Sequence, residues 1–181
     1  MKTLIIVDHP YFDRSVVNRR WIDELRKYPD DILIHNLQSS YPHAPINVGQ
    51  EHSLIENNGA VVFQFPLFWF NSPPMLKSWF DTVLTAGWAY KGGNKLEGKH
   101  VALAVTTGGA AEKYDVNAGA QYSLEDYVRP YIQALKYCGA DFKGVYAFYG
   151  ANTSEGKSVD ASAIAVSARN YVDFINNMAM K

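Results

Sequence analysis

Five short apolar runs limit what this chain can fold into. They are Thr3 to Asp8, Ile32 to Leu37, Ala60 to Phe65, Lys99 to Thr106, and a run centred on Val145 to Phe148. Their continuous apolar character suits strands covered on both faces better than strands with one wet face. Helical patterns lie between them. Val16, Val17, Arg20, Trp21 and Leu25 recur along a helix from near Ser15 to about Lys27, and a weaker helix covers Val48 to Asn57. Met75, Leu76, Trp79, Phe80, Val83 and Leu84 form one stripe from Pro73 to about Thr85, with Ser72 the expected N-cap and proline suited to the first turn. Two more helices are expected, from Leu124 to about Cys138 and from Val159 to Met178. Strands alternating with helices predict an α/β fold with a mostly parallel sheet between two helical layers. Right-handed crossovers and five strands make a doubly wound sheet of order 2-1-3-4-5 the expected topology. A length of 181 residues suits one domain, 1–181, with a core of its own.

In such a sheet ligands sit beyond the carboxyl ends of the strands, where the strand order reverses. The residues falling there are unusual. After the first strand come His9, then Ser15, Val16, Val17 and Asn18 at a helix start, a place where free N–H groups and the helix dipole favour an anion. Taken singly, Ser15 reads better as a plain N-cap and His9 as a satisfied loop histidine. After the third strand come Pro66, Leu67, Phe68, Trp69 and Phe70, far more aromatic than a turn requires. This loop is either a wall for a flat ligand, or a hydrophobic loop packed under its own helix or against a second subunit. After the fourth strand come Thr106, Thr107, Gly108 and Gly109, where glycine lets backbone donors approach a planar group. A phosphate pocket, an aromatic wall and a row of donors together describe a site for flavin mononucleotide.

Other classes are disfavoured. The 17 basic and 18 acidic residues nearly cancel, and no basic patch suggests nucleic acid. The five histidines show no paired ligand spacing, so no metal is expected. Cys138 is the only cysteine, which favours a reducing, cytoplasmic setting. No stretch has the length of a membrane span or the pattern of a signal peptide.

Several motifs carry a resemblance. These are His9-Pro10 with Ser15 and Asn18; Pro66 to Phe70 with Pro73-Pro74-Met75-Leu76-Lys77 and Trp79-Phe80-Asp81; Gly87-Trp88-Ala89-Tyr90; and Thr106 to Gly109. In these the chain resembles the flavodoxin-like NAD(P)H:quinone oxidoreductases, in the short bacterial branch of general stress protein 14-like reductases, modulators of drug activity and ancillary proteins of glutathione-gated potassium efflux. The resemblance implies a flavodoxin-like fold and bound FMN. NAD(P)H would be the co-substrate, and a quinone or similar small electrophile the acceptor, in ping-pong order. His9 and Ser15 to Asn18 would hold the phosphate and ribityl chain, Pro66 to Phe70 would flank the ring, and Thr106 to Gly109 would bind its edge. Tyr114 would stand beside the ring as a proton donor or hydrogen-bond partner. Trp88 and Tyr90 would form a substrate-side lid contributed by a second subunit of a homodimer.

Two departures stand out. Relatives that relay protons carry a histidine where this chain has Ala120, and Phe68 stands where many relatives carry a polar residue. The chain end at Lys181, soon after the last helix, favours FMN over FAD. Two rival readings are a flavin-binding regulatory subunit of a membrane potassium-efflux protein, and a one-electron shuttle. The near-neutral charge and the lack of a short Thr/Ser-Gly phosphate loop speak against the shuttle.

Overall fold

A computed structural model describes residues 2–153 and 158–180. Five parallel strands form one sheet in the order β2-β1-β3-β4-β5. They are β1 (Thr3–Val7), β2 (Ile32–Asn36), β3 (Ala60–Pro66), β4 (His100–Thr106) and β5 (Asp141–Phe148). The helices are α1 (Val17–Leu25), α2 (Leu37–Ser40), α3 (Val48–Glu56), α4 (Pro74–Val83), α5 (Leu124–Tyr137) and α6 (Ala161–Met180). The expected fold class and strand order hold. The differences are local. β2 ends at Asn36, one residue short of the apolar run, and Leu37–Ser40 forms one helical turn, with the Asn36 side chain accepting from the Ser39 N–H. β5 begins at Asp141, earlier than its apolar centre, and its register against β4 shifts between Val101 and Ala102.

Alternation along the strands splits the core in two. Ile5, Val7, Val62, Ala102 and Ala104 face α1 and α6, which add Trp21, Leu25, Tyr171 and Ile175. Leu4, Ile6, Phe63, Phe65, Leu103 and Val105 face α3, α4 and α5, which add Ile55, Leu76, Trp79 and Leu135. The stripe on α4 is therefore core packing, with Met75 and Leu84 at its half-buried margin.

The second layer contains a buried carboxylate. Glu51 on α3 has no solvent exposure and accepts three hydrogen bonds, from His35 Nε2 (2.7 Å), the Tyr41 hydroxyl (2.5 Å) and Trp79 Nε1 (2.7 Å). Burial, the largest single influence, pushes its carboxyl up, but the bonds from His35, Tyr41 and Trp79 together hold it below the ordinary value. This group joins β2, α3 and α4.

Ser72 does not cap α4. Its hydroxyl lies 2.7 Å from the Tyr131 hydroxyl, which in turn donates to Asn71 Oδ1. The cap comes from β1's end instead. Asp8, fully buried, accepts the Leu76 N–H at 2.7 Å through one carboxylate oxygen and the Gln38 amide at 2.8 Å through the other. Burial raises the Asp8 carboxyl above its ordinary value, against the pull of those two bonds.

Candidate active site

The sheet order reverses between β1 and β3, and a cavity of about 540 Å³ opens at the carboxyl ends of β1, β3 and β4. Three loops from those strands build it. His9, Ser15, Val16, Val17 and Asn18 line one end; Pro66, Leu67 and Phe68 line one side; Thr106, Thr107 and Gly108 line the floor. All of these are residues that the expected strand order places at one crevice. Tyr11, Arg14 and residues Ala151, Asn152 and Thr153 also line it and had not been singled out. The last three arrive because the loop after β5 is laced to the turn after β4: Ala151 N–H donates to Thr107 C=O and Gly150 N–H to Gly109 C=O, both at 2.8 Å.

The first loop makes an anion end. Ser15 Oγ accepts the Asn18 N–H at 3.1 Å, which caps α1 and leaves the hydroxyl proton to donate outward. The N–H groups of Val16 and Val17 lie in the first turn, where no carbonyl within a helix reaches them. The exposed Arg14 guanidinium adds a positive charge beside them. His9 Nδ1 accepts the Tyr11 N–H at 3.1 Å, and burial pushes the imidazole's pKa below its ordinary value. The neutral ring therefore carries its proton on Nε2 and acts as a donor. Asn18 differs from the reading given to it. Its amide donates to Thr106 Oγ1 at 2.8 Å and accepts from Gln64 Nε2 at 3.2 Å, so its side chain ties α1 to β3 and β4 and is not free for a ligand.

The aromatic loop is a tight turn. Phe68 N–H donates to Asn71 C=O at 2.7 Å and Asn71 N–H returns to Phe68 C=O at 2.9 Å. Trp69 (φ 46°) and Phe70 (φ 61°) between them are both left-handed. This is the pattern of a type I′ hairpin turn, whose central positions normally hold Asn and Gly. A bulky residue there costs roughly 1–2 kcal/mol. The turn throws Trp69 into solvent, 94% exposed, and sets Phe70 against Tyr127. It also leaves the Trp69 and Phe70 N–H groups outside the two bonds that close it. Trp69 and Phe70 thus stand at the lip of the cavity and not in its lining. Gly109 and Tyr114 hold a similar place on the opposite loop, where a Cβ on Gly109 would lie 3.2 Å from the Tyr114 hydroxyl. Phe68 separates the cavity from a second one of about 660 Å³, lined also by Pro10, Pro45, Ile46 and Met75.

Trp88 and Tyr90 lie elsewhere. α4 starts at the carboxyl ends of the strands, where Asp8 caps it, and runs to their amino ends. The segment that follows is therefore remote from the crevice of its own chain. Trp88 is 8% exposed, stacked on His52 at 3.8 Å, and donates through Nε1 to Glu56 at 2.7 Å. Its ring is a packing element in this chain, with little surface left over for the lid to a second subunit that the resemblance implies. Tyr90 is half-buried beside Tyr137 (6.0 Å) and keeps an exposed edge. The loop that carries it is compact. A Cβ at Gly93 would lie 2.2 Å from the Trp88 backbone, so only glycine fits.

The site can thus hold a phosphate ester at one end and a flat apolar ring at the other, with backbone donors near the ring. Among the described residues no helix is long and apolar enough to cross a membrane, and no cluster of three or more His, Cys, Asp or Glu could hold a metal.

Comparison with known proteins agrees with this architecture. The family model described as the flavodoxin-like fold matches residues 1–173. General stress protein 14 of Bacillus subtilis is 42% identical over 90% of this chain and 93% of its own. A Bacillus subtilis protein described as an uncharacterized NAD(P)H oxidoreductase is 42% identical over 83% of this chain and 86% of its own. The crystal structure of general stress protein 14 from Treponema denticola, solved in complex with FMN, superposes with a TM-score of 0.90 at 38% identity, covering 98% of this chain and 99% of that one. The chain belongs to the family of the flavodoxin-like fold, among the relatives of general stress protein 14.

Proposed function

We propose that the protein is an FMN-dependent NAD(P)H oxidoreductase that reduces quinones or similar small, flat electrophiles. The observation that carries this reading is the crevice itself, with an anion end on α1 and an apolar wall on the β3 loop, in a chain 38% identical to one solved with FMN. Bound FMN would take a hydride from NAD(P)H and pass two electrons to the acceptor. The chain's residues supply the rest. Ser15, Arg14, His9 and the first N–H groups of α1 would hold the phosphate and ribityl chain. Leu67 and Phe68 would exclude water from one face of the ring. The Trp69 and Phe70 N–H groups, and those of the turn after β4, are candidate donors to the ring edge, where negative charge grows on reduction. Tyr114 would donate a proton or hydrogen bond at the mouth. One shared mouth for NAD(P)H and acceptor supports ping-pong order.

We further propose a homodimer. Tyr90 sits at the amino end of the sheet and cannot reach its own crevice, so a lid role requires a second copy. A cytoplasmic setting suits the single cysteine, Cys138.

The direct test is to add FMN to the purified protein, record the flavin absorption, and assay NADH and NADPH against a benzoquinone. A bound flavin bleached by one of the two nucleotides and restored by the quinone is expected. Failure to bind FMN would remove the reading. A second measurement addresses the anion end. Arg14→Ala should weaken FMN by about threefold to tenfold, the scale of one partly exposed charge-assisted bond. Riboflavin, which lacks the phosphate, should bind the variant and the parent equally. An equal loss for both ligands would move Arg14 out of the phosphate site.

A further inference from the structure

The loops after β3 and β4 meet at the crevice mouth through one side chain that neither lines the cavity nor fills the core. Tyr127, in α5, has its ring centroid 5.0 Å from Phe70, 6.0 Å from Tyr114 and 5.8 Å from Tyr122. The start of α5 explains its direction. Ser123 caps the helix by accepting the Asp126 N–H, and the Asp126 carboxylate accepts the Ser123 N–H in return at 2.8 Å. Tyr122 precedes that capping box and Tyr127 follows it, so their contact is a hydrophobic staple. A staple requires only those two residues. Tyr127 has two more ring neighbours, and they come from the two loops that flank the crevice.

Each of those loops needs an anchor. Phe70 sits in the left-handed turn, 56% exposed, and Tyr127 is the aromatic ring it packs on among the described residues. Tyr114 ends a 3-10 turn (Ala111–Tyr114) whose other side chains are exposed, and Tyr149, 5.6 Å away, flanks it. The Tyr127 ring meets Tyr114 edge-to-face at 86° and Phe70 at 30°, so a shift of either loop breaks one of the two geometries.

We infer that Tyr127 is a positioning residue that fixes Phe70 and Tyr114 relative to each other across the mouth and so sets the slot a flat electron acceptor enters. The catalytic half of this inference rests on the flavin reading above; the coupling of the two loops does not. Three variants separate the possibilities: Tyr127→Ala, Tyr127→Phe, and Tyr122→Ala, which removes the staple but leaves the other contacts. Amide hydrogen exchange over residues 68–71 and 111–121 should quicken in Tyr127→Ala and stay at the parent rate in Tyr127→Phe. With FMN bound, kcat/KM for a benzoquinone should fall roughly tenfold in Tyr127→Ala, a loss of about 1.4 kcal/mol of transition-state stabilisation. FMN should still bind, the rate of flavin bleaching by NAD(P)H should fall as well because it uses the same mouth, and Tyr127→Phe and Tyr122→Ala should keep the parent activity. Unchanged exchange in Tyr127→Ala overturns the coupling. An activity loss in Tyr122→Ala equal to that in Tyr127→Ala overturns the positioning role in favour of simple helix-end stability. A parent protein that binds no FMN removes the catalytic half together with the proposed function, while the exchange result still decides the coupling.

Discussion

Replacing Glu51 by alanine should lower the stability of this protein by about 3–5 kcal/mol, enough to remove much of what a domain of this size possesses. The carboxylate accepts from His35, Tyr41 and Trp79 in a site closed to water. Its removal leaves three donors without acceptors on three different elements, and each stranded group costs about 1–3 kcal/mol. Glu51→Gln is gentler. One oxygen still accepts, while the new NH2 group opposes a donor, so the loss should be about half as large. Urea unfolding followed by tryptophan fluorescence measures both, and a midpoint unchanged in Glu51→Ala would mean the donors find other partners. The same site sets an acid limit. Because the folded state holds this carboxyl below the ordinary glutamate value of about 4.3, its contribution is complete above that pH and disappears as pH falls through the folded value. The difference in stability between parent and Glu51→Gln should therefore shrink in acid.

The second large effect runs in opposite directions for stability and function. Exchanging Trp69 for Asn and Phe70 for Gly gives the turn the residues that a left-handed pair prefers. Relief of two strained positions is worth roughly 2–4 kcal/mol, offset in part by about 1 kcal/mol for glycine's greater unfolded freedom and a similar amount for the lost Phe70–Tyr127 contact. The urea midpoint should rise. On the proposed function, kcat/KM for a quinone should fall by more than about tenfold, because the aromatic lip that shapes the mouth is gone. A variant that is both more stable and fully active would show that the aromatic pair has no role in turnover.

What could be read from residues alone followed from how far each signal reaches along the chain. The five strands and their order came from apolar runs and crossover rules, which are local and topological. The crevice followed because strand ends fix which loops meet. Pairings between distant residues were not legible. Ser72 looks like an N-cap because it precedes Pro73, yet the cap is Asp8, which only the β1–β3 pairing brings near. Asn18 looks like a ligand amide until the fold places Thr106 and Gln64 around it. Trp88 looks like a lid residue for a second subunit until His52 is found flat against it. Ala151 to Thr153 carry no compositional mark, and they reach the crevice only through hydrogen bonds to the Thr107–Gly109 turn. Arg14 and Tyr11 were visible as residues of the first loop, and a cation just ahead of a capped helix start was the signal that could have singled out Arg14.

The Asp8 carboxylate has a consequence for binding kinetics. It follows β1 directly and precedes His9, yet it also holds the first turn of α4 through Leu76 and the end of β2 through Gln38. The loop after β1, the first turn of α4 and the turn after β2 are thus joined by one buried group, and none can swing without breaking a charge-assisted bond out of reach of water. The cleft is formed when the chain folds. On the proposed function, stopped-flow capture of FMN should therefore be a single bimolecular step whose rate grows in proportion to FMN concentration, and a rate that saturates would mean that the free cleft must first open.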